Sequence, residues 1–236
     1  MAQAAVLAFE RKAVARLRRF PREPDRLVEG LRALVALIIR GLLRVYCRFE
    51  IIGAENLPND NDSFVLVANH SSHLDSVCLL AALPLRRLPR AFPVAAEDYF
   101  FHSLPRTWFA AVLMNALPFG RQMRVRESLA LCRRLLAQPG TVLIIFPEGT
   151  RSKTGATQPF KPGIGALLAG GGTSVLPCYV QGAFHAWPKG RRLPRPHKVR
   201  LIIGAACHFG RDEEAGAIAA KLQRAVEALR EKHGGG

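Results

Sequence analysis

Apolar positions along this 236-residue chain follow two rhythms, and the change falls near residue 48. Before it they recur at helical spacing. Residues 2–19 are good helix formers, Pro21 and Pro24 break the chain, and a second helix is predicted over 25–48. At about 100° per residue, Arg26, Glu29, Arg32, Arg40, Arg44 and Arg48 gather on one arc of that helix. Leu27, Leu31, Leu34, Val35, Ile38, Ile39, Leu42, Val45 and Tyr46 fill the other. Such a pattern suits a helix packed on its own domain or one lying in a membrane interface. The polar arc is almost all arginine and a first basic helix precedes it (Arg11, Lys12, Arg16, Arg18, Arg19), which favours the interface. Glu10 and Glu23 interrupt the segment and no small-residue cleavage site follows, so a targeting peptide is not expected.

From Phe49 onward short continuous apolar runs alternate with helical stretches, which predicts an α/β fold: a central, mostly parallel or mixed sheet flanked by helices. Strands are predicted over 48–52, 63–68, 91–95, 141–146, 174–181 and 198–204, and helices over 76–83, 104–114, 125–137, 163–169 and 213–232. No linker divides residues 49–236. The chain therefore reads as an amphipathic two-helix segment, 1–48, joined to one domain, 49–236.

Composition narrows the function classes. With 34 Lys+Arg against 18 Asp+Glu the chain carries +16, a surface suited to nucleic acid, anionic lipid or a phosphorylated substrate. The five cysteines are scattered and never form C-x-x-C, which excludes a zinc ribbon or disulfide framework and fits a reducing compartment. No run of 18 uncharged apolar residues occurs, so a membrane-spanning helix is not expected.

Two segments carry candidate chemistry. In FVLVANHSSHLDS (64–76) a strand ends in Asn-His, so His70 stands at a strand terminus, where reactive side chains are often displayed. Asp75, at the start of the next helix, is in reach of one imidazole nitrogen and would fix the tautomer, leaving the other to act as a general base. His73 competes for the same carboxylate. No G-x-S-x-G elbow lies nearby, so the proton would come from a hydroxyl on the substrate. In TVLIIFPEGTRS (141–152) a buried strand runs into a turn. Gly149 permits the turn, Arg151 offers a planar fork for phosphate or carboxylate, and Glu148 would either orient Arg151 or accept a substrate hydroxyl. Lys161, in PFKPGIGALLA (159–169), adds a cation, and Pro162 marks the start of a helix.

His70-x4-Asp75, the block from Phe146 to Arg151, and Phe160-Lys161-Pro162-Gly163 occur in the order and separation of the glycerolipid acyltransferases. In these blocks the chain resembles the superfamily of 1-acylglycerol-3-phosphate acyltransferase. Leu117-Pro118-Phe119-Gly120-Arg121 resembles a further block, and the strand around Pro177 a fourth; the likeness spans roughly residues 45 to 205. It implies acyl transfer from acyl-CoA or acyl-carrier protein to the free hydroxyl of a lysophospholipid, first of all lysophosphatidic acid, without metal or cofactor. His70 and Asp75 are then the acid–base pair. Arg121, Arg151 and Lys161, with Glu148, Gly149 and Thr150, hold the acceptor's phosphate and glycerol. The paired amino-terminal helices resemble the interfacial anchor of bacterial members, implying a peripheral protein on the cytoplasmic face of an anionic membrane. Many relatives have a polar residue where this chain has Gly120, and a lysine near Ala95-Ala96.

Other readings rank lower. A metal-dependent hydrolase would use His70, His73 and Asp75 as ligands, but the spacing departs from the usual pattern. A nucleic-acid-binding module is suggested by charge alone, without interleaved stacking aromatics. A silent lipid-binding relative is disfavoured by the intact His70 and Asp75. The basic stretches 86–90 and 189–192 read as solvated loops, open to contact with lipid or carrier protein.

Overall fold

A computed structural model describes residues 26–96, 114–119, 125–170, 172–210 and 212–234. The helix expected over 2–19, the one over 104–114 apart from Met114, and Arg121 lie outside these residues. Among the described residues seven strands form one sheet. In chain order they are β1 (Glu50–Ile52), β2 (Phe64–Ala68), β3 (Ala91–Ala96), β4 (Leu117–Phe119), β5 (Val142–Ile145), β6 (Ser174–Gln181) and β7 (Arg200–Ile203). Their order across the sheet is β1-β7-β6-β2-β5-β3-β4. All neighbours run parallel except β6 and β7. The sheet is mixed, as expected, with a parallel centre. The six expected strands are present within two residues at either end, and β4 is an addition. Three residues carry too little pattern to separate β4 from loop; its pairing with β3 defines it.

Every residue of β2 is buried. Phe64, Leu66 and Ala68 enter one core cluster while Val65 and Val67 enter another, because successive side chains alternate between the faces of the sheet. The first face is covered by α1 (Arg26–Tyr46), α2 (Asp75–Ala82) and the one-turn α5 (Ala183–Ala186). The second is covered by α3 (Val125–Leu136), α4 (Gly163–Leu168) and α6 (Ala215–His233). Gly165 brings α4 and α6 together, since a Cβ there would lie 1.9 Å from the Ala215 carbonyl oxygen. Pro177, the centre of the fourth block, is buried in β6 beside Val67, at the point where the pairing with β7 ends.

The inner face of α1 carries Leu43, which joins the first core cluster with Cys47 just beyond the helix, so α1 is attached to the body of residues 49–236. Part of the basic arc turns inward as well. Arg40 donates from Nη2 to the Leu83 carbonyl just past α2, one of the orphan acceptors that a helix end leaves. Arg32 lines an apolar pocket between α1 and α2, and burial lowers the pKa of both guanidinium groups. Leu27, Leu34, Ile38, Leu42 and Val45 instead point outward, between 55% and 85% exposed. The apolar stripe is thus divided, with Val35 and Ile39 turned toward α2 and the core while those five residues stay outward. Among the described residues no helix is long and apolar enough to cross a membrane.

The basic stretch 86–90 also differs from expectation. It forms a 3-10 turn (Leu85–Arg90) in which Arg87 is buried, its guanidinium donating to the Asp62 and Pro58 carbonyls and lying over the Phe64 ring. This arginine ties the 58–62 loop to the start of the central strand β2 instead of meeting solvent.

Candidate active site

β2 and β5 are adjacent and parallel, with Val67 level with Ile145, so their carboxyl ends open on the same side. The chain crosses over β2 between β5 and β6, which makes this end a switch point where open α/β sheets bind ligands. The segment after β2 carries His70, and the segment after β5 carries 147–152. Two motifs 78 residues apart thus meet because their strands are neighbours.

Asn69 locks the end of β2 to β6 by donating to the Val180 carbonyl and accepting the Val180 N–H. His70 follows. Its Nδ1 lies 2.8 Å from Asp75 Oδ2, and the same oxygen accepts the backbone N–H groups of Ser71 and Ser72 at 2.7 and 2.8 Å. Asp75 is fully buried at the first turn of α2, so those three donors are what its charge meets. An acceptor-only carboxylate requires Nδ1 to carry the hydrogen, which leaves Nε2 as the basic nitrogen. The imidazole stacks on Phe146, ring centroids 4.1 Å apart at 18°. One fifth of the side chain remains exposed.

The 147–152 turn grips the backbone of His70 from both sides. Glu148 Oε1 accepts its N–H at 2.8 Å, and the Ser152 N–H donates to its carbonyl at 2.8 Å. Glu148 is 3% exposed, and burial pushes its carboxyl up to about 7, opposed by hydrogen bonding from the His70 N–H and by Gln158. Gly149 takes φ +72°, and a Cβ there would lie 2.8 Å from Lys161 Nζ, so the exposed ammonium rests directly over the turn. Thr150 is exposed, its carbonyl accepting from the Gln158 amide at 3.5 Å.

Arg151 reaches back to the other motif. Its Nη1 lies 2.5–2.7 Å from the ring nitrogens of His73. Burial, then Arg151, then His70 push His73 down to about 4, so its ring is neutral and can accept from the guanidinium. The competition between the two histidines for Asp75 resolves in favour of His70, and His73 supports Arg151. His73 is engaged with a guanidinium and His70 Nδ1 with Asp75, so neither nitrogen set is turned to a shared ligand. Among the described residues no three His, Cys, Asp or Glu side chains are grouped as ligands.

Sequence reasoning did not anticipate Phe146 beneath the imidazole or Trp187, whose carbonyl accepts from Ser72 Oγ and the His73 N–H and whose ring packs on His73 at 5.1 Å. Phe146 is signalled only by the β2–β5 register. Trp187, more than a hundred residues away, carries no local signal.

Several relatives share these segments. The chloroplast 1-acyl-sn-glycerol-3-phosphate acyltransferase BAT2 of Brassica napus is 32% identical over 161 residues, covering 67% of this chain and 44% of that protein. The enzyme of the same name, alpha form, from Mus musculus is 28% identical over 180 residues, covering 75% and 60%. The chain thus spans about half the length of the curated relatives it matches. Among solved structures, the 1-acyl-sn-glycerophosphate acyltransferase PlsC of Thermotoga maritima matches with a TM-score of 0.63 and 26% identity, over 91% of this chain and 85% of that one. A family model described as Acyltransferase matches residues 48–181, from the turn after α1 to the end of β6. Since that match takes in more than half of the chain and both motifs of the cleft, the chain belongs to the acyltransferase family.

Proposed function

We propose that this protein transfers an acyl group from a thioester, acyl-CoA or acyl-carrier protein, to the free hydroxyl of 1-acylglycerol-3-phosphate, giving phosphatidic acid. The observation that carries the reading is the 2.8 Å His70–Asp75 contact, joined through one loop to an arginine held on His73. His70 Nε2 takes the hydroxyl proton while that oxygen forms a bond to the thioester carbonyl carbon. The carbon–sulfur bond then breaks, and the thiolate leaves and recovers a proton. A thiolate leaves readily, so no enzyme nucleophile is needed. A base placed in this way contributes roughly a hundred- to ten-thousandfold.

Arg151 and Lys161, together with Arg121, hold the acceptor phosphate. Gly149 and Thr150 line its approach, and Glu148 serves it indirectly by holding the His70 peptide. The relatives' printed names support this acceptor, and the positively charged rim of the turn suits its phosphate. A small apolar cleft between α1 and α2, lined by Ile39, Val77, Leu80 and Leu88, has the chemistry of a wall against which an acyl chain could begin to pack. Residues 1–48 act as the membrane-interface segment and 49–236 as the catalytic domain. The exposed leucines of α1 and the +16 charge support docking on an anionic bilayer. The cytoplasmic face suits five free cysteines, four of them buried.

The test is an acyl-transfer assay of purified protein with both donors against a panel of lysolipids, alongside His70→Ala. Phosphatidic acid formed from lysophosphatidic acid, and lost in the variant, is expected. Undiminished product in His70→Ala would remove the imidazole from the reaction, and preference for an uncharged acceptor would remove the phosphate role.

A further inference from the structure

The basic stretch 189–192 has a place in the fold that no motif assigns. The chain leaves α5 at Trp187, swings outward and returns at Arg195. The loop is closed at its base by Arg195 N–H donating to the Ala186 carbonyl and Arg195 Nε donating to the His185 carbonyl, both at 2.9 Å. Inside it the Trp187 indole N–H donates to the Arg191 carbonyl at 2.9 Å, and the Arg191 N–H to the Pro188 carbonyl. The finger is thus braced on its own backbone. Lys189, Arg191 and Arg192 are left exposed, and Leu193 at the turn is 74% exposed. No acidic residue occurs between Ala183 and Val199.

The position of the finger shows what it faces. Tyr46 at the end of α1 donates from its hydroxyl to the Pro194 carbonyl at 3.2 Å, which sets Leu193 beside the end of the helix where Leu42 and Val45 are 61% and 83% exposed. Arg44 and Arg48 are exposed at the same end. An aliphatic tip beside an apolar helix face, rimmed by cations, with the neighbouring Glu50 already paired to Lys198 and Arg200, matches the boundary between headgroups and acyl chains of an anionic bilayer. An acidic protein would meet the cations but leave the aliphatic stripe in water.

We infer that residues 188–195 are a second membrane-contact element, a rigid basic finger that lies with α1 on an anionic lipid surface. The root of the finger is also the wall of the site, because the Trp187 carbonyl accepts from Ser72 Oγ and the His73 N–H. A docked finger therefore places the His73–Arg151 side of the cleft against the headgroup layer, from which a lysolipid enters. The inference rests on reading α1 as lipid-facing.

The experiment is co-sedimentation of the full chain with phosphatidylcholine vesicles containing or lacking phosphatidylglycerol, with no substrate present. The triple variant Lys189→Gln, Arg191→Gln, Arg192→Gln is expected to bind anionic vesicles roughly fivefold more weakly per charge removed, about a hundredfold in all. Leu193→Ser should weaken the interaction further without changing its salt dependence. The control variant Arg224→Gln, Arg230→Gln, Lys232→Gln removes equal charge from α6, across the sheet, and should cost far less. Equal losses in the two triple variants would reduce the effect to net charge and overturn the inference. Wild-type vesicle binding by the finger variant would overturn it too, also where that variant fails only with an acyl-carrier-protein donor. A variant of α1 (Leu31→Ser, Ile38→Ser, Leu42→Ser) that binds normally removes the reading of α1, while loss of binding in the finger variant still supports the finger.

Discussion

Two histidines three residues apart on one loop meet opposite charges, and the contrast divides the cleft into two halves. His70 faces a buried carboxylate whose reactive oxygen is already shared with two backbone N–H groups, and its own peptide is clamped by Glu148 and Ser152. His73 faces a half-buried guanidinium and leans on Trp187. Both rings are held, but for different work. The first half fixes a tautomer and leaves a base; the second keeps a ring neutral so that it can hold a cation in place. His70 takes its role from a carboxylate five residues on, whereas His73 takes its role from a guanidinium 78 residues away.

The largest test of that division is Asp75→Asn. An amide returns only one acceptor oxygen and no charge to three donors, so turnover is expected to fall roughly a hundred- to ten-thousandfold with little change in acceptor KM. A variant that kept its turnover would show that the carboxylate half does not govern the proton transfer. Next is Arg151→Lys, which replaces a planar fork with a point charge. Acceptor KM should rise roughly ten- to a hundredfold while kcat moves less, in line with one charge-assisted contact. Loss of kcat at unchanged KM would merge the two halves into one.

The finest test uses pH and stability. Glu148 titrates near 7 in the fold against an ordinary 4.5, so the native state keeps a proton that the unfolded chain has lost. Its contribution falls as pH rises through that window. His73 behaves in the opposite sense. Its native value near 4 lies below the ordinary 6.5, so the unfolded chain protonates first and stability falls as pH drops from 6.5 towards 4. Between 4.5 and 6.5 the two slopes oppose each other. Relative to the parent protein, the unfolding midpoint of Glu148→Gln should rise with pH and that of His73→Gln should fall. Parallel slopes in the two variants would break the comparison.

Legibility in the sequence followed the range of the interaction. Uniform apolar runs at 64–68, 142–145 and 174–181 announce strands buried on both faces, and each is present. The amphipathic period of 215–233 announces α6. The pairing of His70 with Asp75 spans five residues and one helix start, so it too can be read locally. The blocks around Glu148 and Pro177 carry the family resemblance in the sequence alone. What could not be read depends on register and layer. Glu148 was expected at Arg151 or at substrate, yet it meets the His70 peptide because β2 and β5 are neighbours. Arg87 was expected in solvent and is buried because the 58–62 loop folds over it. On α1 the sequence determined that there would be an apolar face and a basic face. Only the tertiary structure decided that Arg32, Arg40 and Leu43 turn inward while Leu27, Leu34 and Leu42 stay bare. A helical period specifies which residues share a side, but the direction that side faces is chosen by whichever surface offers the orphan carbonyls and the matching apolar wall.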